Sequence, residues 1–248
     1  MGKTHEALKI AEQEHRETFL GPLAVPRLEG APMPAKWASN NIGMEPYEGL
    51  KTNLLGRYPN GEIKSILFNG THHGGGCSTT AINFAIAMAK DSELSVLLID
   101  VNLRTPGLHD AFKIDATIGL TDLPDNNDEG SSLIKKVGPG ELYVLTCGGN
   151  LSVPLGLFES GRFDQFLETM REKFDYVIMD APPVPRFPEC RVLCTKVDGV
   201  ILVLEAGNTR RHVALRAKKT LEEAGGRILG AVLNRRKYYI PEWIYKRL

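Results

Sequence analysis

The sequence predicts an α/β fold with a doubly wound, mostly parallel sheet, preceded by a helix and a proline-rich arm. Short apolar, β-branched runs alternate with helical patterns, a glycine-rich segment separates the first run from a helix, and two later runs end in aspartate. With 248 residues, of which 42% are hydrophobic and 24% charged, the chain is long enough to bury the core of such a fold.

The segment before the predicted sheet divides into two elements. Residues 3–18 place a few apolar side chains among charges, which predicts a weakly amphipathic helix. Four prolines then interrupt regular structure, and residues 21–41 are predicted to be an extended, semi-rigid linker. We therefore expect a helix and arm over residues 1–41, the main α/β domain over 42–235, and a tyrosine-rich, basic tail over 236–248.

The predicted sheet is built from six short apolar runs, and three helical patterns lie between them. The predicted strands are residues 65–68, 96–99, 142–145, 176–179, 200–204 and 229–233. The predicted helices are residues 79–90, 162–173 and 210–224, the last ending at a pair of glycines. Open parallel sheets bind ligands beyond the carboxyl ends of their strands, so we expect functional side chains directly after these runs.

The composition limits the possible partners and the compartment. Thirty Lys and Arg balance thirty Asp and Glu, so no overall basic excess indicates nucleic-acid binding. No apolar run approaches the roughly twenty residues that cross a bilayer, and no signal-peptide core is present at the N-terminus, which predicts a cytoplasmic protein with reduced thiols. Cys190 and Cys194, four residues apart on a predicted helix, are expected to be buried thiols rather than metal ligands.

The segment after the first predicted strand has the features of a phosphate-binding loop. Residues 69–80 run directly into a helix, and their three consecutive glycines allow main-chain N–H groups to turn toward an anion. The helix N-terminus adds its positive dipole end, and a hydroxyl in the first helical turn, from Ser78 or Thr79, can hold Mg²⁺. A lysine normally precedes that hydroxyl, but here Cys77 occupies its position. The glycines are Gly74, Gly75 and Gly76.

Two aspartates follow two other predicted strands. Asp100 follows residues 96–99, and Asp180 follows residues 176–179. Carboxylates at the ends of parallel strands can converge on Mg²⁺, which prefers hard oxygen ligands and bridges phosphates. An isolated aspartate at a strand end is usually a helix cap. The two together, in one chain with the glycine-rich loop, favour a nucleotide site.

These segments resemble the bacterial tyrosine kinases of capsule and exopolysaccharide systems, which are relatives of the P-loop ATPases of cell division and chromosome partition. The resemblance extends over about residues 46–234, and residues 1–11 are similar to the leader helix of the exosortase-associated branch. It implies a P-loop NTPase fold that binds ATP and Mg²⁺. The matching segments are residues 65–85, 96–100, 174–183 and 229–234.

The resemblance also implies roles for individual residues. Asp100 and Asp180 are the implied catalytic residues, and together with Ser78 they are the implied metal ligands. Asn234 would lie at the base of the nucleotide. The implied nucleotide-binding residues are Gly74, Gly75, Gly76, Cys77, Ser78, Thr79, Arg104 and Asn234.

The resemblance further implies a homo-oligomer that docks on a membrane-bound polysaccharide chain-length or co-polymerase protein at the inner face of the cell membrane. On this reading, the chain regulates polysaccharide polymerisation or export, and no nucleic acid is involved. The implied phospho-acceptors are Tyr238, Tyr239 and Tyr245. Two other interpretations of the tail stay open: an extra short helix packed on the domain, or a basic and aromatic segment lying on an anionic membrane.

Several positions depart from the family pattern. Cys77 replaces the loop lysine, Asn102 replaces the second acidic residue after the strand, and Glu48 and Lys51 replace arginines of the family's oligomerisation helix. We expect impaired phosphotransfer, with nucleotide binding retained at reduced affinity. Because a thiol at a helix N-terminus tends to have a lowered pKa, we also expect a thiolate at Cys77 that competes with phosphate. Protonated His72 and His73 would restore some positive charge.

Two other classes of function remain open at this point. A positioning or partition ATPase would use nucleotide-dependent dimerisation as its output, and it predicts a second lysine early in the loop, which residues 71–75 do not contain. A pseudokinase scaffold with an empty phosphate loop would bind no nucleotide.

Overall fold

The computed structural model describes residues 23–24, 44–90, 94–123, 130–137, 140–149 and 154–236. The predicted N-terminal helix and the three tail tyrosines, Tyr238, Tyr239 and Tyr245, lie outside these residues. The division of the chain into arm, domain and tail therefore stays a prediction.

The described strands form one eight-stranded sheet. Its strands are β1 (Leu23–Ala24), β2 (Ser65–Gly70), β3 (Val96–Asp100), β4 (Lys135–Lys136), β5 (Leu142–Leu145), β6 (Tyr176–Ala181), β7 (Gly199–Glu205) and β8 (Ile228–Asn234). Their order across the sheet is β1-β8-β7-β2-β6-β3-β5-β4, and every adjacent pair is parallel except β4 and β5. The predicted doubly wound, mostly parallel sheet is confirmed.

Seven α-helices connect and cover the strands within the described ranges. They are α1 (Glu45–Arg57), α2 (Cys77–Lys90), α3 (Leu108–Phe112), α4 (Pro154–Phe158), α5 (Gly161–Lys173), α6 (Glu189–Leu193) and α7 (Arg211–Glu223). All six predicted strands and all three predicted helices are present, with ends that differ by two residues at most. None of the helices in the described part of the chain is long and apolar enough to cross a bilayer.

The sheet separates two hydrophobic cores. Along β2, Ile66 and Phe68 face one core together with α1 and α2, whereas Leu67 faces the other core together with α4 to α7. The ring of Phe68 lies 5.4 Å, centroid to centroid, from the ring of Phe84 on α2. Since both faces are covered, the central strands are apolar along their whole length, and this is why the sequence shows continuous runs rather than alternation.

Two short strands were not predicted. β1 lies inside the predicted linker and pairs with β8 at the edge of the sheet, with Leu23 opposite Val232. Prolines flank this strand but do not occupy it, so both of its N–H groups remain available. β4 consists of two lysines antiparallel to β5, and it is too short and too polar to show a strand pattern.

The predicted burial of the two thiols after β6 is confirmed. Cys190 and Cys194 are buried, and their Sγ atoms donate to the carbonyl oxygens of Pro182 and Arg191 at 3.1 Å and 3.2 Å. All four cysteines are free. Among the described residues, no group of three or more His, Cys, Asp or Glu side chains forms a metal cluster.

Candidate nucleotide site

The loop between β2 and α2 has a backbone conformation that requires glycine. Gly74 and Gly76 have φ angles of +78° and +86°, in the left-handed region. A Cβ atom on Gly76 would stand 1.9 Å from Nδ2 of Asn234, so a side chain at this position is also excluded by space. The helix begins at once: the N–H and Oγ1 of Thr80 both donate to the carbonyl of Gly76, at 2.9 Å and 2.8 Å.

Asn234, at the end of β8, forms hydrogen bonds with the backbone of this loop. Its Nδ2 donates to the carbonyl oxygens of Gly75 and Gly76 at 3.1 Å and 3.5 Å, and its Oδ1 accepts from the N–H of Arg235 at 2.8 Å. The structure thus brings Asn234 to the predicted phosphate loop, where it contacts backbone carbonyls. Its implied contact with the nucleotide base stays a prediction.

Asp100 and Asp180 lie side by side, as expected for residues at the ends of neighbouring parallel strands. They are direct partners in the register between β3 and β6, and both are buried. Asp100 accepts the N–H of Asn102 on Oδ1 at 3.1 Å and the N–H groups of Gly107 and Leu108 on Oδ2 at 3.0 Å and 3.1 Å. These contacts cap the start of α3. Asp100 therefore has a structural role in addition to any catalytic role.

Asp180 differs from Asp100 because both of its carboxylate oxygens are buried without a hydrogen-bond partner among the described residues. Burial raises the pKa of Asp180, and Ser78 and Cys77, in the first turn of α2, offset this rise only in part. A buried carboxylate left unpaired is costly, and a bound cation would offset that cost. Asp180 and Ser78 therefore fit Mg²⁺, which takes carboxylate and hydroxyl oxygens.

Burial raises the pKa of both carboxyl groups. The pKa of Asp180 rises further because the charge of Asp100 lies next to it. The pKa of Asp100 rises less, since three backbone N–H groups stabilise its ionised form. In the absence of a cation, a proton shared within this pair stays preferentially on Asp180.

The predicted thiolate at Cys77 is wrong. Burial and the neighbouring Asp180 raise the pKa of the Cys77 thiol well above its ordinary value. Sγ points inward and lies 4.0 Å from the carbonyl oxygen of Ala181. The helix dipole, which led us to expect a lowered pKa, is outweighed by desolvation and by the carboxylate at this position. Cys77 is a neutral thiol, so the expected competition between thiolate and phosphate has no basis.

Asn102 and Arg104, which follow Asp100, form hydrogen bonds with residues outside the phosphate loop. Arg104 donates from Nη2 and Nε to Oε1 of the buried Glu189, at 2.6 Å and 3.0 Å, and its guanidinium lies 5.4 Å from the centroid of the Phe187 ring. Asn102 donates from Nδ2 to Oγ1 of Thr105 at 3.1 Å, and its Oδ1 accepts the N–H of Thr105 at 3.3 Å. The structure does not bring either side chain to the loop, so a nucleotide contact by Arg104 stays a prediction.

Sequence reasoning missed Glu205, at the end of β7. It accepts from Nε2 of His72 at 2.6 Å, from Nδ2 of Asn208 at 2.9 Å and from Nη1 of Arg235 at 3.0 Å. These donors, with Asn208 the strongest, lower the pKa of Glu205 to about 2. His72, which we expected to supply positive charge to the loop, is thus bound to a carboxylate. Glu205 directly follows an apolar run at the carboxyl edge of the sheet. This position could have marked it as a candidate site residue in the sequence.

The glycine loop and the paired strand-end carboxylates are arranged as in nucleotide-binding domains of the P-loop class. The chain is 30% identical over 197 residues to the tyrosine-protein kinase YwqD of Bacillus subtilis, covering 79% of this chain and 83% of that protein. It is 31% identical over 192 residues to the tyrosine-protein kinase CpsD of Streptococcus pneumoniae serotype 4, covering 77% and 83%. The chain therefore belongs to the bacterial tyrosine-protein kinase family.

Solved structures agree with the observed fold. The chimerical protein CapA2B2 is 25% identical and superposes with a TM-score of 0.79, over 92% of this chain and 99% of that one. The cell division ATPase MinD of Pyrococcus furiosus, at 21% identity and a TM-score of 0.59 over 69% and 72%, shares the fold. In a scan against models of protein families, none matches the chain.

We predict that Gly76→Ala destabilises the protein more than Gly74→Ala. Both glycines have left-handed backbones, so either substitution costs about 1–2 kcal/mol in strain. At Gly74 no atom lies within 4 Å of the new Cβ, whereas at Gly76 the Cβ collides with Asn234 and adds about 1–3 kcal/mol. Urea unfolding measures the difference. Equal losses of unfolding free energy for the two variants would contradict the proposed clash.

A second prediction concerns pH. The folded-state pKa of Asp180 lies above its unfolded value, so the folded protein binds this proton more tightly, and stability is lost as the pH rises through the folded pKa. In EDTA, wild-type protein should lose unfolding free energy between pH 5 and pH 8, and Asp180→Asn should lose less.

Asp175→Asn is the matched control for this pH prediction. Hydrogen bonds from Ser95 lower the pKa of Asp175, so its own titration lies below the pH 5 to 8 window. This variant should keep the wild-type loss. Parallel curves for wild type and Asp180→Asn, measured by urea unfolding at each pH, would show that Asp180 is not the group responsible.

Proposed function

We propose that this chain is an ATP-binding regulator of capsule or exopolysaccharide polymerisation or export, with impaired transfer of phosphate to tyrosine. Membership of the bacterial tyrosine-protein kinase family supports the first part. The observation that carries the second part is the phosphate loop itself. It keeps its left-handed glycines and its hydroxyl, while an inward-pointing, neutral Cys77 stands where the cation is expected.

The loop retains groups that bind phosphate without a lysine. The N–H groups of the loop and of the first turn of α2 can contact an anion, and the helix N-terminus contributes the equivalent of roughly half a positive charge. Ser78 and Thr79 add hydroxyls in that first turn. A nucleotide can therefore bind through main-chain groups, although more weakly than with a cation in the loop.

Catalysis depends more strongly on the missing charge than binding does. A group aimed at the charge of the transition state commonly contributes about a hundred- to a thousandfold in rate. Among the described residues, two side chains that could supply a substitute positive charge are already engaged, since His72 is hydrogen-bonded to Glu205 and Arg104 is paired with Glu189. Neither is free to replace the lysine in the present arrangement, and this supports impaired phosphotransfer.

Asp180 and Ser78, with Asp100 beside them, are the residues that we propose hold Mg²⁺. When bound, the ion would neutralise phosphate charge. Asp100 is also our proposed base toward a tyrosine hydroxyl. Three N–H groups fix the orientation of its carboxylate, and its pKa is raised toward neutrality, which favours proton acceptance near physiological pH.

We further propose a homo-oligomer that acts at the inner face of the cell membrane by docking on a membrane-bound chain-length or co-polymerase protein. By resemblance to the family, α1 corresponds to the oligomerisation helix. In this chain Glu48 and Lys51 replace two of its arginines. Nζ of Lys51 donates inward to the carbonyl oxygens of Ala87 and Met88 at 3.0 Å and 3.4 Å, and so it caps the end of α2. Self-association would therefore rest on other residues of the chain.

We predict that Cys77→Lys raises tyrosine phosphorylation at least about tenfold, because it restores a cation that stabilises the transition state. Purified full-length chain is incubated with labelled ATP and Mg²⁺, and phosphotyrosine is measured by mass spectrometry. Cys77→Ser, which removes the thiol without adding charge, is the matched control and should stay at the wild-type level.

The outcomes separate three accounts. A gain confined to Cys77→Lys supports impaired phosphotransfer through loss of the cation. Equal, strong labelling of wild type and Cys77→Lys would show that catalysis tolerates the missing lysine. Absence of label from all three proteins would favour a scaffold without catalysis.

A further inference from the structure

The first part of α7 is strongly basic, although the chain as a whole is neutral. Residues 210–219 contain five Lys or Arg and no Asp or Glu, whereas the complete sequence has thirty of each charge. This segment therefore produces a local positive potential on an otherwise balanced protein.

Four of these five cations are exposed, and three of the four are not neutralised. α7 packs through Ala217 and Leu221 on the hydrophobic core that contains Leu67, and its opposite face is open to solvent. In the part of the chain that the structure describes, the guanidinium groups of three exposed arginines have no hydrogen-bond or ion-pair partner. They are Arg210, Arg211 and Arg216. Later in the helix, by contrast, Lys218 pairs with Glu222 and Lys219 pairs with Glu223.

The position of the charges is unfavourable for the helix itself. Arg210 is the N-cap, makes no side-chain capping hydrogen bond, and is followed by a first turn without any acidic residue. Cations at the positive end of a helix dipole are destabilising. An external anionic surface would remove this repulsion, whereas a purely solvated helix gains nothing from the arrangement.

An apolar side chain lies among these cations. Leu215 is 42% exposed and is one of two exposed large hydrophobic residues in the described chain. It lies one helical turn after Arg211, so these two side chains are neighbours on the helix surface. Arg216 follows Leu215 on the same solvent-exposed half of α7. Apolar side chains among cations on a helix surface are typical of segments that lie at a membrane interface.

We propose that the α7 basic face, formed by Arg210, Arg211, Leu215 and Arg216, docks directly on an anionic phospholipid surface. The arginines match the charge of the headgroups, and Leu215 enters the boundary between headgroups and acyl chains. A nucleic acid would also match the charge, but its backbone offers no apolar layer for Leu215.

This contact would set the orientation of the nucleotide site. α7 follows the carboxyl end of β7, so the basic face begins at the same edge of the sheet as the phosphate loop. Docking on lipid does not depend on nucleotide binding or on phosphotransfer. A variant can therefore lose lipid docking and keep nucleotide binding, or the reverse.

Vesicle flotation with the full chain tests the proposal. Wild-type protein should float with vesicles of phosphatidylcholine and phosphatidylglycerol but not with phosphatidylcholine alone, and high salt should release it. Arg211→Gln with Arg216→Gln should lower the partition coefficient about twenty-five-fold, because each cation near an anionic surface contributes about fivefold. Leu215→Ser should weaken binding to the same vesicles at each salt concentration at which wild type binds.

The matched control is Lys64→Gln with Arg227→Gln, which removes two exposed cations from the opposite edge of the sheet, before β2 and β8. This variant should bind within about twofold of wild type. Thermal melting checks that all variants fold. Binding by the arginine variant equal to that of the control would overturn the proposal. So would failure of wild type to bind anionic vesicles, or salt-sensitive binding of duplex DNA in place of vesicles.

Discussion

The contact between Gly76 and the amide of Asn234 fixes the shape of the phosphate loop, and the rest of the site depends on it. Asn234 occupies the space that any side chain at position 76 would need, and its Nδ2 holds the carbonyls of Gly75 and Gly76. With the carbonyls held on one side, the peptide units of the loop have a defined orientation. This constraint is made of backbone and amide groups, so it does not require the lysine that Cys77 replaces.

Charge is the second determinant of the site. Without a cation, a buried pair of carboxyl groups faces a neutral thiol, and the proton that Asp180 retains lowers the local negative charge. A divalent ion would reverse this situation by favouring ionised Asp180. The replacement of lysine by cysteine therefore changes both the affinity for phosphate and the charge balance around the metal ligands.

The sequence was sufficient for six of the eight strands and for the proximity of Asp100 and Asp180, because apolar runs mark buried strands and parallel strands place their ends at one edge. It was not sufficient for contacts between distant segments. Arg104 pairs with Glu189, and Glu205 contacts His72 and Arg235. These partners are far apart in the chain, and the sequence pattern does not indicate which residues pair. The pKa of Cys77 was predicted in the wrong direction because burial beside Asp180 is a property of packing.

The most direct measurement of the central claim is calorimetric titration of the full chain with Mg·ATP. If main-chain amides bind phosphate without the lysine, wild-type protein should release or absorb heat with one-to-one stoichiometry, and Gly76→Ala, which disrupts the loop, should not. A wild-type protein that gives no binding heat, or a Gly76→Ala variant that binds as well as wild type, would contradict the claim.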